Sequence, residues 1–156
     1  MEELSAPDRV RVALARAGVP ADIRQFAEST RTAQEAAAAI GTGVGQIVKS
    51  LVFLSGDRPV LALVSGSNQL DTAKLAHLTG GQIRKADAAT VRQATGYAIG
   101  GVPPLGFAQP IDTHIDEDLF QYKEIWAAAG TPNHVFKLDP PTLMRLTRGK
   151  RADLKR

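Results

Sequence analysis

Apolar positions along the chain change their period several times, and the changes mark out the elements. Val10, Ala13, Leu14 and Ala17 recur at helical spacing, so a first helix is expected over 7–17, stopped by Gly18. A short strand follows at 23–26. Thr32 then opens T-A-Q-E, with Glu35 three residues on, and this capping-box pattern starts an alanine-rich helix that ends at Gly41. The run QIVKSLVFL, residues 46–54, is apolar on both faces and rich in β-branched residues, which predicts a buried strand. A turn at Ser55, Gly56 and Asp57 leads to PVLALVS at 59–65, making a hairpin.

Asp71 and Asp87 each precede a helical stretch; the first carries Leu75 and Leu78, and the second runs to Ala94 before Gly96. Residues 97–107 are rich in glycine and proline. Strands are expected at 111–115, 124–129 and 133–138. Asp139 with Pro140 behind it then begins a last helix, with Leu143 and Leu146 on its inner face. The order lacks strict strand–helix alternation. It predicts an α+β single domain with a mixed, mostly antiparallel, barrel-like sheet flanked by helices.

The 156 residues suffice for one core, and 44% hydrophobic with 22% charged residues suits a folded chain. The absence of cysteine excludes disulfides, thiolate metal sites and a cysteine nucleophile. The N-terminus has no apolar h-region and no run is long enough to span a bilayer, so the expectation is a cytoplasmic protein without a membrane partner. The net charge of +3 is concentrated at one end: five Lys/Arg and one Asp stand in the last nine residues, leaving the body near −1. The expected division is therefore a domain over 1–147 and a basic tail over 148–156. Such a tail either contacts nucleic-acid phosphates or is a solvated end.

Lys49 is the residue with the most to say about chemistry. Within its strand it shares a side with Ile47, Leu51 and Phe53, while Val48, Ser50, Val52 and Leu54 lie opposite. It either reaches a cavity, where a desolvated ammonium can bind an oxygen and stabilise developing negative charge, or sits at a sheet edge to block aggregation. The stretch Gly100, Gly101, Val102, Pro103, Pro104, Leu105 and Gly106 either brings backbone N–H groups close to a ligand or only joins two strands.

The remaining candidates are weaker. Gly41 to Gly45 follows a helix and precedes a strand, the reverse of a dinucleotide-binding turn. His77 reads as structural or surface, and no histidine pair has metal spacing. His134, at a strand start, could face a site. Asp116, Glu117 and Asp118 read as a solvated turn or helix start, so no metal and no cofactor is expected. There is no G-x-S-x-G elbow.

Taken in order, TAQEAAAAIG, GQIVKSLVFL, PVLALVSGSNQLDTAKLA, YAIGGVPPLGF and AAAGTPNHVFKLDPPTLMRLT resemble the YbaK-like, prolyl-tRNA-synthetase-associated editing family over about residues 20–147. The resemblance implies an α+β fold and hydrolysis in trans of mischarged tRNA, chiefly tRNA for proline bearing a wrong amino acid. It makes Lys49 the functional lysine, with Ser50 as the adjacent hydroxyl and the 100–106 loop positioning the aminoacylated terminal adenosine. It names mischarged tRNA, through its 3′ end, and a synthetase as partners. Two positions depart from the cysteine-specific branch: Pro103 replaces a serine, and His134-Val135 stand where an aspartate is usual. A small apolar substrate side chain held by Phe26, Val102 and Leu105 is the corresponding expectation. The alternatives are a non-catalytic tRNA- or synthetase-binding module and a hydrolase of another acyl ester.

Overall fold

The computed structural model describes residues 4–20 and 22–156. Among the described residues are five α-helices: α1 (Ala6–Arg16), α2 (Ala33–Ile40), α3 (Thr72–Thr79), α4 (Ala88–Thr95) and α5 (Pro140–Thr147). Eight strands accompany them: β1 (Ile23–Gln25), β2 (Val48–Ser55), β3 (Arg58–Ser65), β4 (Ile83–Lys85), β5 (Asp112–Asp116), β6 (Ile125–Ala128), β7 (His134–Leu138) and β8 (Lys150–Ala152). They form a three-stranded sheet in the order β1-β7-β6 and a five-stranded sheet in the order β4-β2-β3-β5-β8. The pairings β3–β5 and β5–β8 are parallel and the other four are antiparallel. The fold is α+β, but the barrel-like sheet takes the form of two open sheets. The outer strands of the larger one, β4 and β8, are three residues long and do not meet.

Helix starts follow the side-chain chemistry. Thr32, Asp71, Asp87 and Asp139 each accept a backbone N–H from the first turn of the helix they precede, satisfying donors that have no intrahelical partner. The β2–β3 hairpin closes over a two-residue turn with Ser55 opposite Arg58. Its alternation splits the core. Val48, Val52, Leu61 and Leu63 face the main cluster with Val10, Leu14, Phe136 and Leu143, whereas Phe53, Val60, Ala62 and Val64 face a second cluster with Leu70, Leu75 and Leu154.

Several expectations shift on inspection. Residues Val44–Gln46 form a 3₁₀ turn, so β2 begins two residues later than expected; Gln46 instead ties that turn down, its side-chain oxygen accepting from Gly43 N at 3.2 Å. Leu78 is exposed, and Leu75 alone carries the inner face of α3. β4 was not foreseen, being short and mostly polar. Of the two readings of residues 116–118 the helix start holds, since Asp116 caps a 3₁₀ turn over Glu117–Gln121 by accepting from Asp118 N, but Asp116 itself is completely buried at the end of β5 rather than solvated. Residues 148–156 are not a loose end: they supply β8, the fully buried Leu154, and a bridge between Lys155 and Leu70.

Candidate active site

β2 has a neighbour along its whole length on one side only. On the other, β4 pairs with Phe53, Leu54 and Ser55, and the bridge from Ile47 to Trp126 ties the strand's beginning to the smaller sheet. Between these two attachments the edge is uncovered, and a cavity of about 380 Å³ lies against it. Its lining includes Lys49, Ser50, Arg31, Gly100, Val102 and Trp126. The first turn of α2 forms one wall, through Ala33, Gln34 and Ala36, and the loop bearing Ile99 and Gly100 forms another. Because the opening is at an edge, residues from both faces of β2 reach it. Thus Lys49 and Ser50, which point oppositely along the strand, line one space.

The Lys49 ammonium donates to the main-chain carbonyl of Asn68. Burial lowers its pKa from the usual lysine value, and the carboxylate of Asp116 acts against that effect. The Ser50 hydroxyl is buried and has no hydrogen-bond partner among the described residues, so it is free to bind something that enters. Among the described residues, Lys49 and Arg31 are the only charged side chains in the lining; neither a carboxylate nor an imidazole faces the cavity. The site can hold a polar ligand, place a cation beside an oxygen, and exclude bulk water on its apolar side. It offers no acid–base pair or nucleophilic triad.

The loop earns its glycines by contact. Gly100 has φ 92, and the stem of Arg31 lies against it. Gly101 is packed on the Thr131 backbone so closely that a β-carbon would approach to 2.7 Å, and its carbonyl accepts from Gly130 N at 3.0 Å. The structure therefore brings together Lys49, Ser50, Gly100 and Val102. Pro103, Pro104 and Leu105 are buried behind the loop instead, and Gly106 receives the Tyr97 hydroxyl on its carbonyl. Phe26 packs behind the wall with Ala33, Ile47 and Trp126 and is not part of the lining, so of the three residues expected to hold the substrate side chain only Val102 lines the cavity.

His134 does not reach this cavity. Strand alternation turns its neighbour Val135 toward it, and the His134 ring lies in a separate cleft with Arg11 and Thr131, paired to the Thr131 hydroxyl. Its pKa is lowered by burial and by Arg11. Arg31, Ile99 and Trp126 are lining residues that the sequence pattern did not single out. No periodicity marks a residue whose role comes from two loops meeting.

An uncovered strand edge, a half-buried lysine and a glycine loop define a site for a small ligand with one cation beside apolar walls. Comparison with known proteins narrows this. The profile of the aminoacyl-tRNA editing domain matches residues 27–146, and the chain belongs to that family, whose members remove wrongly attached amino acids from tRNA by hydrolysis. A protein of Bacillus subtilis, YwhH, is 31% identical over 83% of this chain and 83% of its own. EbsC of Enterococcus faecalis, described as a candidate Cys-tRNA(Pro)/Cys-tRNA(Cys) deacylase, is 31% identical over 83% of this chain and 80% of its own. A crystal structure described as that of a candidate trans-editing enzyme for prolyl-tRNA synthetase is 47% identical, covers 99% of both chains, and superposes with a TM-score of 0.93.

Proposed function

We propose that this trans-acting deacylase hydrolyses tRNA for proline carrying a small wrong amino acid, with Lys49 as the catalytic cation. The observation that carries the assignment is the partly desolvated Lys49 ammonium at the uncovered edge of β2, facing the same cavity as an unpaired Ser50 hydroxyl. Water adds to the ester carbonyl carbon. Negative charge develops on the carbonyl oxygen, where a fixed ammonium in a water-poor site stabilises it far more than it would in solution. The bond to the ribose oxygen then breaks, and the proton given up by water ends on that oxygen, leaving free amino acid and tRNA. With no protein base in the lining, proton movement falls to the water and to the substrate's own hydroxyl and amino groups. Positioning and charge stabilisation suffice for an activated ester.

The apolar lining, Val102, Val135, Ile47 and Ala36, suits a small side chain. A separate editing step of this kind is needed because a synthetase pocket separates small side chains by only about 1–3 kcal/mol. The chain would work in the cytoplasm, in company with a synthetase that makes the error. Deacylation of Ala-, Cys- and Ser-charged tRNA for proline, with wild type and Lys49→Ala compared, tests the reading. Hydrolysis of at least one substrate is expected, falling by roughly 100-fold in the variant. A wild-type protein that binds tRNA but hydrolyses none of them would instead be a binding module.

A further inference from the structure

The Lys49 ammonium meets a turn whose polar side chains the mechanism does not use. The turn after β3 runs through Ser65, Gly66, Ser67 and Asn68, with Asn68 N donating to Ser65 O at 2.9 Å. β5 lies parallel to β3 and pairs Leu63 with Ile115, which puts Asp116 beside that turn. Asp116 is completely buried. One of its oxygens accepts from Ser65 N at 3.0 Å and from the Asn68 side-chain amide at 2.9 Å; the other accepts from Asp118 N at 2.9 Å. The same Asn68 amide nitrogen donates to Asp118 at 2.8 Å, and that Asp118 oxygen is also met by the Lys155 ammonium at 2.9 Å.

We propose that Asn68 is a positioning residue for Lys49, clamped by Asp116, Asp118 and Lys155 so that its main-chain carbonyl holds the Lys49 ammonium in one place. The inference rests on the role given to Lys49 above. Its chemistry is specific to asparagine. One neutral NH₂ group carries two hydrogens and satisfies two carboxylates at once. An aspartate at 68 would place a third negative charge against them, and an apolar residue would leave a buried carboxylate short of a donor. A turn that merely connected β3 to α3 would need none of this.

The arrangement answers a problem set by the site. A lysine beside an uncovered strand edge has a long flexible stem and is penalised for its charge by burial. The Asn68 carbonyl limits where the ammonium goes, and the buried Asp116 carboxylate favours its charged form. The charged groups around Lys49 are Asp116 from the end of β5, Arg31 from the cavity wall, and the Asp118–Lys155 pair behind Asn68.

Single-turnover deacylation across pH separates positioning from folding. Asn68→Ala is expected to lower kcat on the order of 10-fold to 100-fold with little change in KM, the consequence of misplacing a catalytic group by about an ångström. Asp116→Asn, nearly the same shape, is expected to move the alkaline limb of the kcat profile to lower pH, because a lysine without its countercharge gives up its proton sooner. Wild-type kcat in Asn68→Ala, while Lys49→Ala is inactive in the same assay, would overturn the role of Asn68 and leave that of Lys49 standing. Full activity in Lys49→Ala would overturn both. Should Asn68→Ala fail to fold, the alkaline limb of Asp116→Asn decides: an unmoved limb overturns the proposal.

Discussion

Arg31 lies across Gly100. A β-carbon placed on the glycine would meet the Arg31 Cγ at 2.6 Å and its Nε at 3.1 Å, so the arginine stem forms a roof over the loop at the cavity mouth. Among the described residues no carboxylate lies within ion-pair distance of Arg31. If the cavity takes the tRNA end, as proposed, a guanidinium beside it is placed to meet a phosphate. Arg31→Ala is expected to raise KM for charged tRNA more than it lowers kcat, and to reduce the salt dependence of binding by about one phosphate contact. Titrations of tRNA binding at several salt concentrations check this; an unchanged slope would remove Arg31 from the interface.

Gly100→Ala tests the roof from the other side. A left-handed backbone at φ 92 strains an alanine, and the new methyl group must push Arg31 aside. A stability loss of about 1–3 kcal/mol is expected by urea unfolding, together with weaker tRNA binding.

Lys49 should make stability depend on pH in a definite sense. Its folded-state pKa is lowered by burial, so between that value and the unfolded value the unfolded chain binds more protons. Stability from this residue therefore rises as pH climbs through the folded pKa towards the ordinary lysine value of 10.5. Lys49→Met lacks the effect. Urea unfolding of both proteins from neutral to alkaline pH should show wild type gaining on the variant as pH rises; parallel curves would mean that the ammonium is not penalised by its surroundings.

Leu154 is fully buried against Leu70 and Leu75, and its carbonyl accepts from Asp71 N at 2.7 Å at the start of α3. Leu154→Ala is expected to cost about 2–5 kcal/mol, the range for emptying a packed leucine site. Thermal or urea unfolding measures it directly. A surface-like loss below about 0.5 kcal/mol would show that residues 148–156 are not packed as described.

Much of this was legible in the chain before any coordinates. Thr32, Asp71, Asp87 and Asp139 announce four helices because capping is a local event between residues two or three apart. The β2–β3 hairpin is equally local, and Lys49 stands out because a cation interrupts an apolar run. Asp116 is the opposite case. Three adjacent carboxylates look solvated, and only parallel pairing of β5 with β3, strands separated by 46 residues of intervening chain between Ser65 and Asp112, supplies the N–H groups that make burial tolerable. β8 was hidden for a related reason: Arg and Lys read as a tail, while its pairing with β5 comes from 36 residues away in register, His114 beside Lys150. His134 was misplaced by one step of strand alternation, which cannot be assigned before the partner strand is known.

The uncovered stretch of β2 has one more consequence. A bare strand edge normally invites another chain to dock along it, which is how many sheets come to aggregate. Here α2 and the glycine loop flank the bare stretch as the walls of the cavity, so the edge is not presented as a flat open strand. An aminoacyl group has one amide-sized polar unit and one side chain, the footprint of a single residue. The fold thus leaves only residues 48–52 of this edge unpaired, a stretch bounded at both ends by its own chain and short for a second strand to pair along.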